Sequence, residues 1–318
     1  MGRFVIRRLG GMVAVLFAVS VLTFLIFNVV PSSDPAVRMA GKNANPRLVQ
    51  SITEEWGFDD PLPQQYLTMM EKIFTGDVVS YEGRENVVER IVEGIPATFS
   101  LCIGAAVIWM FFGILFGYLS AVRAGGLLDR VLTIVAVAGI SMPIFLLGAI
   151  FLSYLTYKTE IFPSGGYVEF SESPLEWVEH LILPWTTLAI LYVGFYSRVL
   201  RSSMLDVMNE DYVRTARAKG LSERRVMSRH VMRNSLIPIV TIFGLDFGAL
   251  IGGAILIEGI FSLNGIGQYT YESLKHFDLP PVMAVVMFGA FFVVLFNALV
   301  DIAYAWLDPR IRLGTEAR

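Results

Sequence analysis

Six apolar runs, each long enough to cross a bilayer as a helix, constrain this chain more than any other feature of its sequence. A hydrocarbon core about 30 Å thick needs roughly 20 apolar residues at helical rise. Leu9 to Val30 carries no charge, Glu93 and Arg123 bracket 29 uncharged residues, and Arg130 and Lys158 bracket 27. Leu181 to Met204 follows, with Arg198 and Arg201 only near its end. Asn234 to Ile257 holds one acid, Asp246, and Leu279 to Val300 closes the series. Composition agrees: 55% of the 318 residues are hydrophobic and 17% are charged, with a mean hydropathy of +0.61, where a soluble domain has about 25% charged. The sequence predicts an all-α membrane protein with six transmembrane helices.

Cytoplasmic flanks of spans are rich in Lys and Arg. An N-terminus on the inside places 17 of the 25 basic residues on that side, among them Arg3, Arg7, Arg8, Arg123, Arg130, Arg310, Arg312 and Arg318. The short segment 158–180 has one Lys and five Glu, as an outside loop should. The predicted topology is N-in/C-in. The first span follows Arg7 and Arg8, but its 22-residue apolar core is too long for a signal peptide and no small-x-small cleavage site follows, so it reads as a retained helix. Pro96, Pro184, Pro238 and the pair Pro280-Pro281 are expected in first helical turns, whereas Pro143, inside the third run, predicts a kink.

One polar insert interrupts the apolar pattern. Residues 209–234, "NEDYVRTARAKGLSERRVMSRHVMRN", carry seven Lys/Arg against three acids. Placing seven such charges in lipid would cost on the order of 20 kcal/mol, so the segment stays in the cytosol between the fourth and fifth spans. Asn209 is expected to cap a first helix, with Glu210 and Asp211 in its opening turn. Gly220 can end that helix in the left-handed conformation. Ser222 is expected to cap a second helix from Glu223 to Asn234. Ala216 and Ala218 keep the first helix low-profiled, which suits docking into another protein; a solvated loop touching only headgroups is the alternative. A DNA-binding helix-turn-helix is disfavoured by the spans at both ends, which leave no residues for a supporting helix.

Within the membrane, Gly244, Gly248 and Gly252 recur every four residues, and so do Gly113 and Gly117. Small residues at that spacing permit close helix packing, or line a surface that slides during transport. Asp246 falls about 200° round the helix from Gly244 at 100° per residue. An intramembrane acid is costly; it lines a watery path or is hydrogen-bonded in the bundle. Glu258 is expected to meet water outside, and Asp301 and Asp308 to sit at the inner interface. Cys102 reads as packing, and His180 has no evident partner. No phosphate-binding G-x-x-x-x-G-K-[ST] loop, H-E-x-x-H or G-x-S-x-G motif occurs. The three histidines do not suggest a converging catalytic set, which disfavours a membrane enzyme. Asp246 as the sole mid-membrane acid disfavours an ATP-independent carrier or channel.

"DYVRTARAKGLSERRV" followed by "RHVMRNSLIP" resembles the cytoplasmic coupling loop of binding-protein-dependent ABC importer permeases, in the dipeptide/oligopeptide (Dpp/Opp-B-like) branch. "NPRLVQSITEEWGFDDPLPQQYL", "IPATFSL", "IFPSGGY", "LPWTTLAI", "EGIFSLNGIGQ" and "NALVDIAYAWLDPRIR" carry the resemblance over almost the whole chain. The resemblance implies the type I importer permease fold. It implies an N-terminal transmembrane helix over 1–30, an extracytoplasmic loop over 31–93, a permease core over 94–307 with the coupling loop at 206–235, and a cytoplasmic tail over 308–318. It assigns contact with a separate ATPase to Asp211, Tyr212, Val213, Arg214, Thr215, Ala216, Arg217, Ala218, Lys219 and Gly220, with Gly220 as the elbow and Ala216 as the point of close approach. Asp246, Gly244, Gly248 and Gly252 become candidates for the translocation pathway. The "RAGGLLDR" loop, Arg123 to Arg130, is a second candidate contact with the ATPase.

The implied partners are a second related permease, two ABC ATPase subunits that use ATP and Mg²⁺, an extracytoplasmic substrate-binding protein and membrane lipid; no nucleic acid is implied. No cofactor or metal bound by this chain itself is expected, nor catalysis by it. The implied location is the inner (cytoplasmic) membrane, as a multi-pass protein. The implied cargo is peptide; relatives carrying nickel chelates or oligosaccharides leave those open. Arg214-Thr215-Ala216 stand where the wider family has Glu-Ala-Ala, and "KHFDLPP" and "GDVVSYEGRE" also depart from the common pattern.

Overall fold

The apolar runs do form helices, and one of them departs from a straight rod where proline dictates. The computed structural model describes residues 2–30, 34–41 and 44–307. Its helices are α1 (Gly2–Phe24, running into a π-turn to Val29), α2 (Pro35–Ala40), α3 (Pro46–Trp56), α4 (Leu62–Thr75), α5 (Val87–Val122), α6 (Leu127–Ser141) and α7 (Ile144–Phe151, continued by a π-turn to Lys158). They continue as α8 (Pro174–Met208), α9 (Asp211–Ala218), α10 (Glu223–Arg225, continued by π-type turns to Met232), α11 (Arg233–Gly253), α12 (Ile255–Phe261), α13 (Ile266–His276) and α14 (Leu279–Leu307). The only β pairing among the described residues is a bridge between Val79 and Asn86.

Among the described residues five helices are long and apolar enough to span alone, and α6 with α7, bent by 96°, are so as a pair. The bend falls at Met142, whose extended backbone (φ −87°, ψ 127°) is what a residue before proline prefers. Pro143 therefore breaks the span rather than merely kinking it. Pro96, Pro184 and Pro238 lie inside α5, α8 and α11, not in first turns as expected. Each helix begins earlier because polar residues outside the apolar run extend it, and a proline inside a membrane helix is tolerated where neighbouring groups satisfy the freed carbonyl.

The chain divides into two units: Met1–Phe99 with Gly248–Arg318, and Ser100–Phe247. In the first, the segment expected to be a loop is mostly helical. Asp34 and Asn45 cap α2 and α3 by accepting from Ala36 N (2.8 Å) and Leu48 N (2.9 Å), each with proline next. Gly57 and Gly76, at φ 63° and 77°, end α3 and α4. Met39, Ile52, Trp56 and Met69 form a core there with Val87, Ile91 and Met283. Lys72 binds Glu55 at 2.8 Å beside Trp56.

In the second unit α6 and α7 pack along α8. Gly113 and Gly117 of α5 let α8 come close: a Cβ on Gly117 would stand 2.8 Å from the Ser197 carbonyl oxygen, and one on Gly113 2.9 Å from Tyr196 Cβ. That is close packing of a kind any side chain would obstruct. Cys102 is fully buried, as expected of a packing residue.

Candidate functional site

The basic insert folds as a short helix clamped to its own chain on one side and bare on the other. α8 ends at Met208, where Asn209 closes it: the Asn209 N–H donates to Asp206 O and its side-chain amide to Leu205 O at 3.0 Å. Asn209 is thus the C-terminal cap of α8, not the N-cap of α9. Glu210 takes the N-cap place of α9 with extended backbone and no side-chain bond. The expectation failed because Asn suits both kinds of helix end, and α8 runs further than its apolar stretch.

Val213 and Ala216, three residues apart on α9 and so on one face, are buried. They pack toward the end of α8 and the turns of 226–232, where Val226, Met227 and Val231 are also buried. The close approach expected of Ala216 is therefore made to this chain itself. The other face, Asp211, Tyr212, Arg214, Thr215, Arg217, Ala218, Lys219 and Gly220, is exposed. Arg224, Arg225, Arg229 and Arg233 are exposed too, so the surface is basic. The Tyr212 hydroxyl accepts from Asn234 Nδ2 at 2.6 Å.

Gly220 has φ 77° and its N–H donates to Arg217 O at 2.9 Å. A Cβ there would meet nothing within 4 Å, so the glycine is needed for its backbone angle, not for space. Across this elbow Arg217 makes a forked bond to Glu223, Nη2 to Oε1 at 2.7 Å and Nε to Oε2 at 3.1 Å. Ser222 stands at the N-cap of α10 but makes no side-chain bond. The second short helix is not separate: Glu223 to Leu250 is continuous helix and is itself the fifth span.

Sequence reasoning missed the polar knot behind the insert. Asp129 in the first turn of α6 is buried and accepts from Arg201 Nε (2.7 Å) and Nη2 (2.8 Å), from Gly125 N (2.8 Å) and from the Ser120 hydroxyl. It ties the short 123–126 loop to the part of α8 that leads into α9. The available signal was an arginine inside an apolar run with an acid at another helix start.

Asp246 accepts from the Tyr196 hydroxyl at 2.8 Å, beside the stacked Trp109 and Tyr192 rings. Its hydrogen bond lies within the bundle, and it is only partly exposed. Gly244 is buried, and a Cβ on Gly248 would stand 3.1 Å from Phe296 Cβ and from Val293 Cα, so Gly248 serves close packing on α14. Gly252 lies on α11 but its surroundings, the Asp301 side chain, and Asp308 with the 308–318 tail are outside the described residues.

Glu258 was expected to meet water and does not. It is completely buried in α12 and accepts three bonds: from the Thr98 hydroxyl (2.8 Å), Gly267 N (2.7 Å) and Gln268 N (3.1 Å). Its carboxylate thereby caps α13, whose N-cap Gly265 has no side chain to do so. Burial pushes its pKa up to about 7 against the pull of these bonds. Burial likewise raises that of Asp278, which accepts from the Ser80 hydroxyl at 2.5 Å. Among the described residues no group of three or more His, Cys, Asp or Glu is placed to hold a metal.

Comparison with known proteins covers nearly the whole chain. Residues 113–313 match the family described as binding-protein-dependent transport system inner membrane component, and residues 1–102 match its N-terminal companion. The chain is 36% identical to a probable peptide ABC transporter permease of Sinorhizobium fredii, covering 98% of this chain and all of that one. It is 36% identical to the di/tripeptide permease DppB of Pseudomonas aeruginosa, with 97% and 98% covered. It is 33% identical to the dipeptide permease DppB of Bacillus subtilis, with 98% and 99% covered. Its backbone is similar to a chain of the MetNI methionine ABC transporter, with a TM-score of 0.55 at 16% identity, covering 70% of this chain and 99% of that one. That likeness gives the fold, the type I importer permease. Matched from end to end and built on the same bundle of membrane helices, the chain belongs to the inner-membrane components of binding-protein-dependent transport systems.

Proposed function

We propose that the chain is one of two related permease subunits forming the pathway of an ABC importer for di- or oligopeptides. An extracytoplasmic binding protein delivers the peptide, and two ATPase subunits bind and hydrolyse ATP with Mg²⁺. The names of full-length relatives support the cargo. The observation that carries the mechanism is α9 itself. A helix of eight residues is too short to be stable alone, yet it is held by Val213 and Ala216 and leaves a polar face bare.

On this reading residues 94–307 are the permease core and 206–235 the coupling loop. The bare face, Asp211, Tyr212, Arg214, Thr215, Arg217, Ala218, Lys219 and Gly220, meets the ATPase. Val213 and Ala216 pass its displacement to the end of α8 and to the turns of 226–232 that begin the fifth span. The Arg217–Glu223 fork and Gly220 keep the elbow closed, so that α9 moves with the fifth span rather than swinging free. Asp246, part-exposed on that span, is the polar point proposed for the pathway.

The test is Gly220→Pro in the assembled importer in proteoliposomes, with peptide uptake and ATP hydrolysis both measured. Proline fixes φ near −65° and has no N–H, so it cannot hold the observed φ of 77° or bond Arg217 O. Uptake should fall at least tenfold while the protein still inserts. Gly220→Ala, which meets no neighbour and bears only the left-handed penalty of about 1–2 kcal/mol, should retain much of it. Full uptake by Gly220→Pro would overturn the coupling role, and retention of a non-peptide by the cognate binding protein would overturn the cargo.

A further inference from the structure

The groove where α1 lies against α14 has an electrostatic and steric character that neither helix explains. It encloses about 500 Å³ and is lined by Arg7, Arg8, Gly11 and Val15 of α1 and by Val294 and Asn297 of α14, among others. Charge is gathered at one end: Val15 lies eight residues beyond Arg7, which is about 12 Å at helical rise. Among the described residues no acid pairs with Arg7. The arginines precede the first span, on the side where the basic residues of the chain collect.

Gly11 is the second observation. Glycine weakens a helix interior relative to alanine, and at Gly117 and Gly248 it serves close packing; Gly10 and Gly11 of α1 do not, and of these two only Gly11 lines the groove. At Gly11 a Cβ would meet nothing within 4 Å. Its missing side chain therefore admits no neighbour among the described residues and deepens the groove.

We propose that this groove binds an anionic phospholipid of the inner leaflet, its phosphate at Arg7 and an acyl chain along Gly11 and Val15. A guanidinium fork matches phosphate oxygens, basic pockets between membrane helices on the cytoplasmic side suit acidic headgroups, and the apolar wall has no use for a free anion. The inference does not depend on peptide cargo.

The full chain, purified in mild detergent, is exchanged into mixed micelles holding equal phosphatidylglycerol and phosphatidylcholine. Lipid retained after delipidation is counted by native mass spectrometry. The wild type should keep phosphatidylglycerol at least fivefold over phosphatidylcholine. Arg7→Gln should lower that preference roughly fivefold, the effect of one basic residue near an anionic surface. Gly11→Leu, which has room for its side chain, should abolish retention. Millimolar inorganic phosphate should displace nothing. Equal retention of both lipids, an unchanged preference in Arg7→Gln, or release by phosphate overturns the proposal. So does a Gly11→Leu variant that keeps its lipid.

Discussion

Replacing Glu258 by leucine removes one acceptor from three donors. The Thr98 hydroxyl and the N–H groups of Gly267 and Gln268 would face an apolar side chain where no water reaches. At about 1–3 kcal/mol for each orphaned buried donor, the loss from the three is roughly 3–9 kcal/mol, a large part of the total of about 5–15 kcal/mol that holds a domain folded. Glutamine is the informative control. Its oxygen can still accept from Gly267 and Gln268, and its amide can donate to Thr98 Oγ1, which already accepts from Ile266 N at 2.9 Å; only charge assistance is lost, about 1–2 kcal/mol. The two also differ with pH. Because burial holds the Glu258 pKa at about 7 instead of 4.5, the folded state binds the proton more tightly than the unfolded chain. The stabilisation is complete below pH 4.5 and disappears as pH rises through 7, amounting to as much as about 3 kcal/mol at 1.4 kcal/mol per pH unit. Unfolding of the protein in nanodiscs, followed from pH 4.5 to 8, should show the wild type losing stability relative to Glu258→Gln. A leucine variant within about 1 kcal/mol of wild type would refute the capping role, and parallel pH profiles for wild type and glutamine variant would refute the pKa raised by burial.

Asp129→Leu alone should destabilise by about 3–5 kcal/mol, toward the lower figure because Arg201 is 31% exposed, since it leaves a guanidinium without its partner. Asp129→Leu with Arg201→Met should recover most of that loss, giving a coupling of about 1–3 kcal/mol in a double-mutant cycle read by chemical unfolding. Gly104→Ala should force the Trp185 indole out of its place, because the new Cβ collides with the ring. The Trp185 Nε1 bond to Ser100 O (2.9 Å) would break, with a cost of about 1–3 kcal/mol and a changed near-ultraviolet dichroism.

What the sequence discloses, and what it hides, follows from how far each residue's requirement reaches. A span declares itself because its solvent is lipid, and every residue of Leu9 to Val30 answers to that solvent independently. Gly220 declares itself because its demand is on its own backbone, and φ 77° bears that out. The helices of 31–93 are legible by the same rule, in Asp34-Pro35, Asn45-Pro46, Gly57 and Gly76, although the segment links two spans. Local chemistry was the better guide there. It ceases to guide where a polar side chain answers to a distant one. Glu258 takes its hydroxyl from a residue 160 positions away and Asp129 its guanidinium from one 72 away. Neither partner is marked by spacing, so an acid at a span's edge looked like an acid in water. The rule that repairs this is physical: an acid or arginine within a turn or two of lipid stands where leaving it unpaired is expensive. It should be assigned a remote partner before it is assigned to solvent.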